Sequence, residues 1–390
     1  MSVPRAETDD AVDDDFLIEL LYSYIHPAHP FVLPRRMYQE NRKIFPTHLR
    51  NAMCFIASHH SSEPSDTHRE KMSIVFDSSV SEDGFKVQAL ILVTLASYAR
   101  FERDQGNRAL TTAIDVALRI GLTSTFFAIH DGPVFQESWR RTWWELYTIT
   151  GLISLIGGTN LRLVQPSQMA LPTHDEDYDR CQIFQLRTSE EMQQRFSTED
   201  NVKWSSFSYR IEAMRILSSI LDLVNGATGP QCDAANASIS SFLLSIPPEK
   251  RHGMKENEEV DEAMSCALMI IHLGSICLHL PRSSLATVQG LKTLSDCLVL
   301  KSPESNNLKE HVQLELSALN ELDGIWPIAR VVRGQIAQFV REVLNNKPAQ
   351  DTFPDPVQLS ELPNVDEQWL QGLLAEDLEI SPQGLFNSEL

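Results

Sequence analysis

The chain has 390 residues, 42% of them hydrophobic, which is enough to bury one large core or two smaller ones. Its 53 acidic against 33 basic residues leave a formal charge of -20, a field that repels phosphate backbones and anionic lipid and argues against unaided nucleic-acid binding. The opening Met1–Asp15 has no apolar h-region, and no stretch offers about 18 charge-free apolar residues, so neither secretion nor a membrane span is expected.

In chain order, residues 1–15 are acidic with almost nothing apolar to bury, and read as a disordered tail. One of Asp13, Asp14 and Asp15 is placed to cap a helix carrying Phe16, Leu17, Leu20, Leu21 and Tyr24, which should stop at His26-Pro27. Ser61 to Ser81 is polar and reads as a loop. Val87, Leu90, Ile91, Leu95 and Tyr98 recur three or four apart, predicting a core helix over Phe85 to Arg103. A second helix follows Gly106, with Ala109, Leu110, Ala113, Ile114 and Ala117 as a small-residue stripe and Gly121 as its stop.

Glu137 to Ile156 predicts a third helix ended by Gly157-Gly158, with Trp139 and Trp143 toward the core and Arg140 and Arg141 along the flank, in reach of Glu137 or Glu145. Pro172 to Asn201 reads as a loop. Further periodic segments run over Trp204 to Val224, Val260 to Leu280, Leu308 to Leu322 and Ile328 to Leu344, while strand-like alternation is scarce. The expected class is therefore all-α. Met264 to Leu280 is apolar but short and holds His272 and His279, which suits a buried helix.

Residues 16–346 form the expected helical domain, and residues 347–390 an acidic-hydrophobic tail. From Ala349 onward there is no Lys, Arg or His, and apolar groups are threaded among the acids. Trp369, Leu370, Leu373, Leu374, Leu378 and Ile380 can share one face of a short amphipathic helix, with Leu385 and Phe386 beyond Pro382, a pattern that fits a groove on a partner as well as its own core.

No constellation assembles chemistry, so no catalytic, cofactor or metal residue is assigned. Asp9-Asp10-Ala11-Val12-Asp13 resembles a magnesium-binding run but lies in the polar tail. His26 and His29, His59-His60 and His174-Asp175-Glu176 lack a further ligand at zinc spacing. The six cysteines are spread singly and read as reduced, buried thiols. Hydrolase, phosphate-loop and dinucleotide signatures are missing.

Glu137-Ser138-Trp139-Arg140-Arg141-Thr142-Trp143-Trp144-Glu145-Leu146-Tyr147, followed by Gly158 and Leu171-Pro172, resembles the middle homology region of fungal zinc-cluster transcription factors. The pieces occur in family order: Leu20 to Phe31 is similar to the opening helix and turn, Val87 to Val93 and Ala113 to Leu122 to the next two helices, and Leu278 to Arg282 to a weaker downstream feature. The chain departs from the pattern at Thr150-Gly151 and at Gly158-Thr159-Asn160, and the six-cysteine cluster that supplies DNA contact in the family is absent from these residues. The resemblance implies a nuclear transcriptional regulator acting through transcription factors or coactivators, as a homodimer or heterodimer, without direct DNA reading. An inhibitor pairing with a DNA-binding factor and an all-α enzyme acting on an apolar metabolite are the alternatives.

Overall fold

The computed structural model describes residues 14–61, 65–124, 127, 130–157, 163, 169–183, 186–195, 203–223, 229–255, 257 and 259–279, with Ser317, Asn320, Arg330, Arg333 and Gly334 beyond. The chain divides into two compact units, Met1–Arg282 and Ser283–Leu390. In the second, the described residues are helical and Arg333 donates to Asn320 across 2.6 Å. Most of the expected helices over Leu308 to Leu322 and Ile328 to Leu344, and the whole 347–390 segment, lie outside the described residues.

The first unit is built from twelve described helices: α1 (residues 14–25), α2 (Arg35–Glu40), α3 (Thr47–Ser58), α4 (Asp66–Met72), α5 (Gly84–Ala99), α6 (Arg103–Arg119), α7 (Pro133–Gly157), α8 (Asp175–Asp179), α9 (Ser189–Gln193), α10 (Ser206–Leu223), α11 (Gly229–Ser245) and α12 (Glu262–His279). Among the described residues there is no strand, only isolated bridges pairing Ala170 with Thr188 and Met254 with Val260. The all-α class expected from periodicity is what is found.

α1 takes in Asp14 and Asp15, winds its last turn, Leu21–Ile25, as a π-helix and stops where Pro27 withholds a backbone donor. α5 is capped by the Asp83 carboxylate, which accepts from Lys86 N at 2.9 Å. Its Val87, Leu90, Ile91, Leu92 and Val93 are all buried, so it is sheathed on every side by α3, α6 and α7. α6 is amphipathic and buries Ala109, Leu110, Ala113, Ile114 and Ala117. Gly106 is not its starting break but a residue of its first turns, where a Cβ would come within 2.6 Å of the Tyr98 ring; the glycine lets α5 and α6 approach. Gly121, at φ +69, ends the helix as expected.

α7 is the spine of the unit. It touches α5 and α6 on one side and α10 on the other, and α10 is packed in turn against α11 and, most extensively, α12. Gly274 of α12 faces Ile220 and Leu217 of α10, which allows that close crossing. α12 begins two residues before the apolar run suggested and, at 18 residues, is long and apolar enough to cross a bilayer. In this fold Ala263, Met264, Ala267, Ile270, Ile271, Gly274 and Leu278 are buried.

Two expected loops contain helices. Within Ser61 to Ser81, α4 and a 3₁₀ turn at Ser73–Phe76 form because Arg69 is tied to Glu102 at 2.6 Å and to Gln105 at 3.0 Å, tertiary contacts that a polar sequence does not announce. Within Pro172 to Asn201, α9 is nucleated by a capping box in which Thr188 and Glu191 satisfy each other's backbone donors. α3 and α11 were not anticipated; α11 buries only Ala235, Ile239 and Phe242 among small polar residues. Of the described cysteines, Cys54 is buried, whereas Cys181, Cys232, Cys266 and Cys277 are half-buried, a correction to the reading of all as buried thiols.

Candidate functional site

Residues 28–33 leave α1, with His29 N still donating to Ile25 O at 3.0 Å, and then run through the interior, with Phe31, Val32 and Leu33 at most 1% exposed. Buried carbonyls need donors, and side chains from five helices supply them. Arg210 of α10 donates to Ala28 O at 2.6 Å, and Arg141 of α7 to Pro30 O at 3.0 Å. Gln88 of α5 and Ser138 of α7 converge on Phe31 O at 3.0 and 2.9 Å. Tyr178 of α8 serves Val32 O at 2.9 Å, and Tyr22 of α1 serves Leu33 O at 2.7 Å.

A second buried segment, 170–173, is received in the same way. Trp144 Nε1 donates to Ala170 O at 2.9 Å, Ser205 Oγ to Pro172 O at 2.8 Å and Arg141 Nη2 to Thr173 O at 2.8 Å. Glu137 Oε1 accepts from the Thr173 backbone and hydroxyl at 2.9 and 3.1 Å.

Between these segments lies a closed set of charges. Arg141, wholly buried, pairs with Glu137 at 2.9 Å and Asp175 at 2.7 Å; Arg140 also pairs with Glu137. Arg210 pairs with Glu145, whose other oxygen lies 2.6 Å from His29 Nδ1. Three guanidiniums thus face three carboxylates, so the charges within this set balance. The Tyr178 ring lies 4.2 Å below the Arg141 guanidinium and the Phe207 ring 4.2 Å from that of Arg210, replacing part of the lost hydration. Burial alone would raise the pKa of Glu145 and of Asp175, but Arg210 and His29 hold the first, and Arg141 the second, below the usual carboxylate range.

The expected signature residues therefore meet in one place. Arg140, Arg141, Trp143, Trp144 and Tyr147 sit on α7, and Pro172 is the turn that α7 and α10 hold; Gly158 lies outside the described residues. Arg141 pairs with Glu137 as expected, but its placement along the flank is corrected: it is buried because α7 is enclosed by helices on both sides, so even the face opposite Trp143 is interior. Arg210 was missed and Asp175 was weighed only as a metal ligand, although an arginine inside the largely apolar stretch Phe207 to Leu217 is itself a sign of a buried partner. The tail residues Trp369, Leu370, Leu373, Leu374, Leu378, Ile380, Leu385 and Phe386 lie outside the described residues.

The network's carboxylates accept from arginines and its hydroxyls donate to carbonyls, so its chemistry is that of a lock. Four acids, Asp175, Glu176, Glu249 and Asp261, line a cleft beside it, but Asp175 is held by Arg141 and Asp261 by Ser206. No group of three or more His, Cys, Asp or Glu that could hold a metal ion is found among the described residues.

His26, at the foot of the threaded segment, is 7% exposed, and its pKa is pushed down to about 4 by burial and, secondarily, by the Arg141 charge. A group neutral in the folded state and protonated when unfolded contributes stability above its unfolded value, near 6.5, that is lost as pH falls toward 4. Relative to His26→Gln, the wild-type chain should lose about 2 kcal/mol of unfolding free energy between pH 7 and pH 5, read from urea melts. Parallel profiles would show that His26 takes up its proton in the fold as readily as in the unfolded chain.

A family model described as a fungal specific transcription factor domain matches residues 18–269. The C6 finger domain transcription factor iacK of Pestalotiopsis fici is 25% identical over 403 residues, covering 85% of this chain and 60% of the relative, so the chain spans about three fifths of that protein's length. No solved structure matches. The matched residues begin in α1 and end in α12, enclosing the threaded segment, the α7 signature and both arginine locks. From the match and the shared signature it follows that this chain belongs to the fungal specific transcription factor domain family.

Proposed function

We propose that the chain regulates transcription through protein partners, the helical unit serving as a scaffold and residues 347–390 as an activating segment. The observation that carries this reading is the fate of the signature: Arg141, Trp144 and Tyr147 are spent on holding backbone and packing, and none is left to act on a substrate. Family membership supports the same reading. Partners would be DNA-binding factors or coactivators, the site of action the nucleus, and the finer role that of a pathway-specific regulator of a secondary-metabolite gene cluster. The last point rests on the resemblance alone.

Fused to a heterologous DNA-binding domain, residues 349–390 should activate a reporter at least tenfold, and alanine at Trp369, Leu373 and Leu374 together should return it to background, because bulky apolar residues threaded among acids are the composition a partner groove recognises. An inert tail would favour the inhibitor reading, in which the helical unit pairs with a DNA-binding factor and silences it. A tagged chain permanently excluded from nuclei would overturn both.

A further inference from the structure

α12 is apolar along its whole length, yet only 39% of it is buried. The stripe that faces its neighbours, above all α10, is Ala263, Met264, Ala267, Ile270, Ile271, Gly274 and Leu278. On the opposite side Met269, Leu273 and Ile276 follow one another at steps of four and three, a second apolar stripe. Met269 is 66% and Ile276 55% exposed, and Leu273 is half-buried. No Asp, Glu, Lys or Arg stands between Glu262 and His279. α11, packed beside α12, carries one such charge, Asp233, and leaves Leu244 73% exposed.

An exposed apolar stripe of this kind marks a docking face, and its lack of charge narrows the occupant. A partner of another kind is normally selected by charges complementary to its own, and the α12 stripe displays none. A second copy of the chain has the reverse requirement. In a two-fold contact a patch meets itself, so any charge within it faces its own kind, and in a chain of net charge -20 only a face nearly free of acids can serve. The stripe is also symmetric in spacing. A two-fold axis between His272 and Leu273 sets Met269 of one copy against Ile276 of the partner subunit, and the reverse.

We infer that two copies of this chain associate through the outward stripes of α12, packed antiparallel about that axis, with α11 on the flank. Helices of 17 and 18 residues are about 26 Å long and about 10 Å wide, so the pair offers roughly 500 Å² per copy. That is about 1,000 Å² in total, the lower limit for a specific interface, and the dimer is therefore reversible. The inference goes beyond the transcriptional reading and stands apart from it, since its test needs neither DNA nor a reporter.

Sedimentation equilibrium of the purified full-length chain should give a mass that rises from the monomer toward the dimer as the concentration passes through the micromolar range. Met269→Glu, Ile276→Glu and Ile276→Lys should each weaken association at least tenfold, because each buries an unpaired charge in the contact. All three lie on the exposed side, so the thermal midpoint of the monomer should stay unchanged. Met269→Glu and Ile276→Lys combined in one chain should restore association at least tenfold over either alone, because the antiparallel register sets opposite charges face to face twice. A monomer at every concentration, a dimer indifferent to the single variants, or no recovery in the combined variant would each overturn the assignment. So would a monomer that co-sediments with phosphatidylcholine vesicles, which would give the face to lipid.

Discussion

Arg141→Met should cost the chain about 3–5 kcal/mol, because it removes the buried cation shared by Glu137 and Asp175 and leaves two inward-facing carbonyls without their donors. Asp175 would lose its partner at 2.7 Å, Glu137 would keep only Arg140, and the carbonyls of Pro30 and Thr173 would lose donors at 3.0 and 2.8 Å. Against a total stability of about 5–15 kcal/mol that is about a fifth or more, visible as a shifted urea midpoint or as loss of soluble protein. Arg141→Lys should recover little. The guanidinium serves four acceptors from three nitrogens in one plane, Nε to Glu137, Nη1 to Pro30 and Asp175, and Nη2 to Thr173, a fork that an ammonium cannot copy. A loss below about 1 kcal/mol for Arg141→Met would mean that water enters and solvates the stranded acids, and the lock would not be one.

Trp144→Ala should be comparably damaging, at about 3–5 kcal/mol, for a different reason. The indole is fully buried, meets Tyr147 edge to face at 5.6 Å and donates to Ala170 O at 2.9 Å. Removing it empties a volume between α7 and the 170–173 segment that rigid helices on both sides cannot close. Trp144→Phe keeps most of the volume and loses the donor, so it should cost about 1–2 kcal/mol, the penalty of one buried carbonyl left unpaired. Chemical denaturation of the two variants separates packing from hydrogen bonding; equal losses would show that the hydrogen bond, and not the filled space, holds the segment.

Both effects act where the family signature lies, and they explain why its residue types occur together. An arginine with acids four residues before and four after it, on a helix otherwise rich in Trp and Leu, was legible as a charged set in need of partners, and Glu137 was named among them. The far partners were not legible. Asp175 lies 34 residues away in a polar stretch that read as loop, and Arg210 lies 65 residues beyond Glu145. Nothing local distinguishes Asp175 from a surface charge, and the apolar neighbours of Arg210 signal burial without naming the partner. The same limit applies to α4, which is held by Arg69 reaching Glu102; α3 and α11 do carry helical spacing, Leu49, Ala52, Met53 and Ile56 in the first and Ala235, Ile239 and Phe242 in the second, the latter a narrow stripe among small polar residues.

Sequence by itself determined the helical class, the strong helices α5, α6, α7, α10 and α12, the stops at Pro27 and Gly121 and, through resemblance, the family, because apolar spacing and backbone breakers act within a few residues of where they are written. Only the tertiary structure decided that residues 28–33 pass through the core and that Arg141 and Arg210 are buried, since a buried charge or carbonyl is tolerated only where distant donors and acceptors arrive together. That convergence is a property of how helices pack, and no stretch of chain contains it.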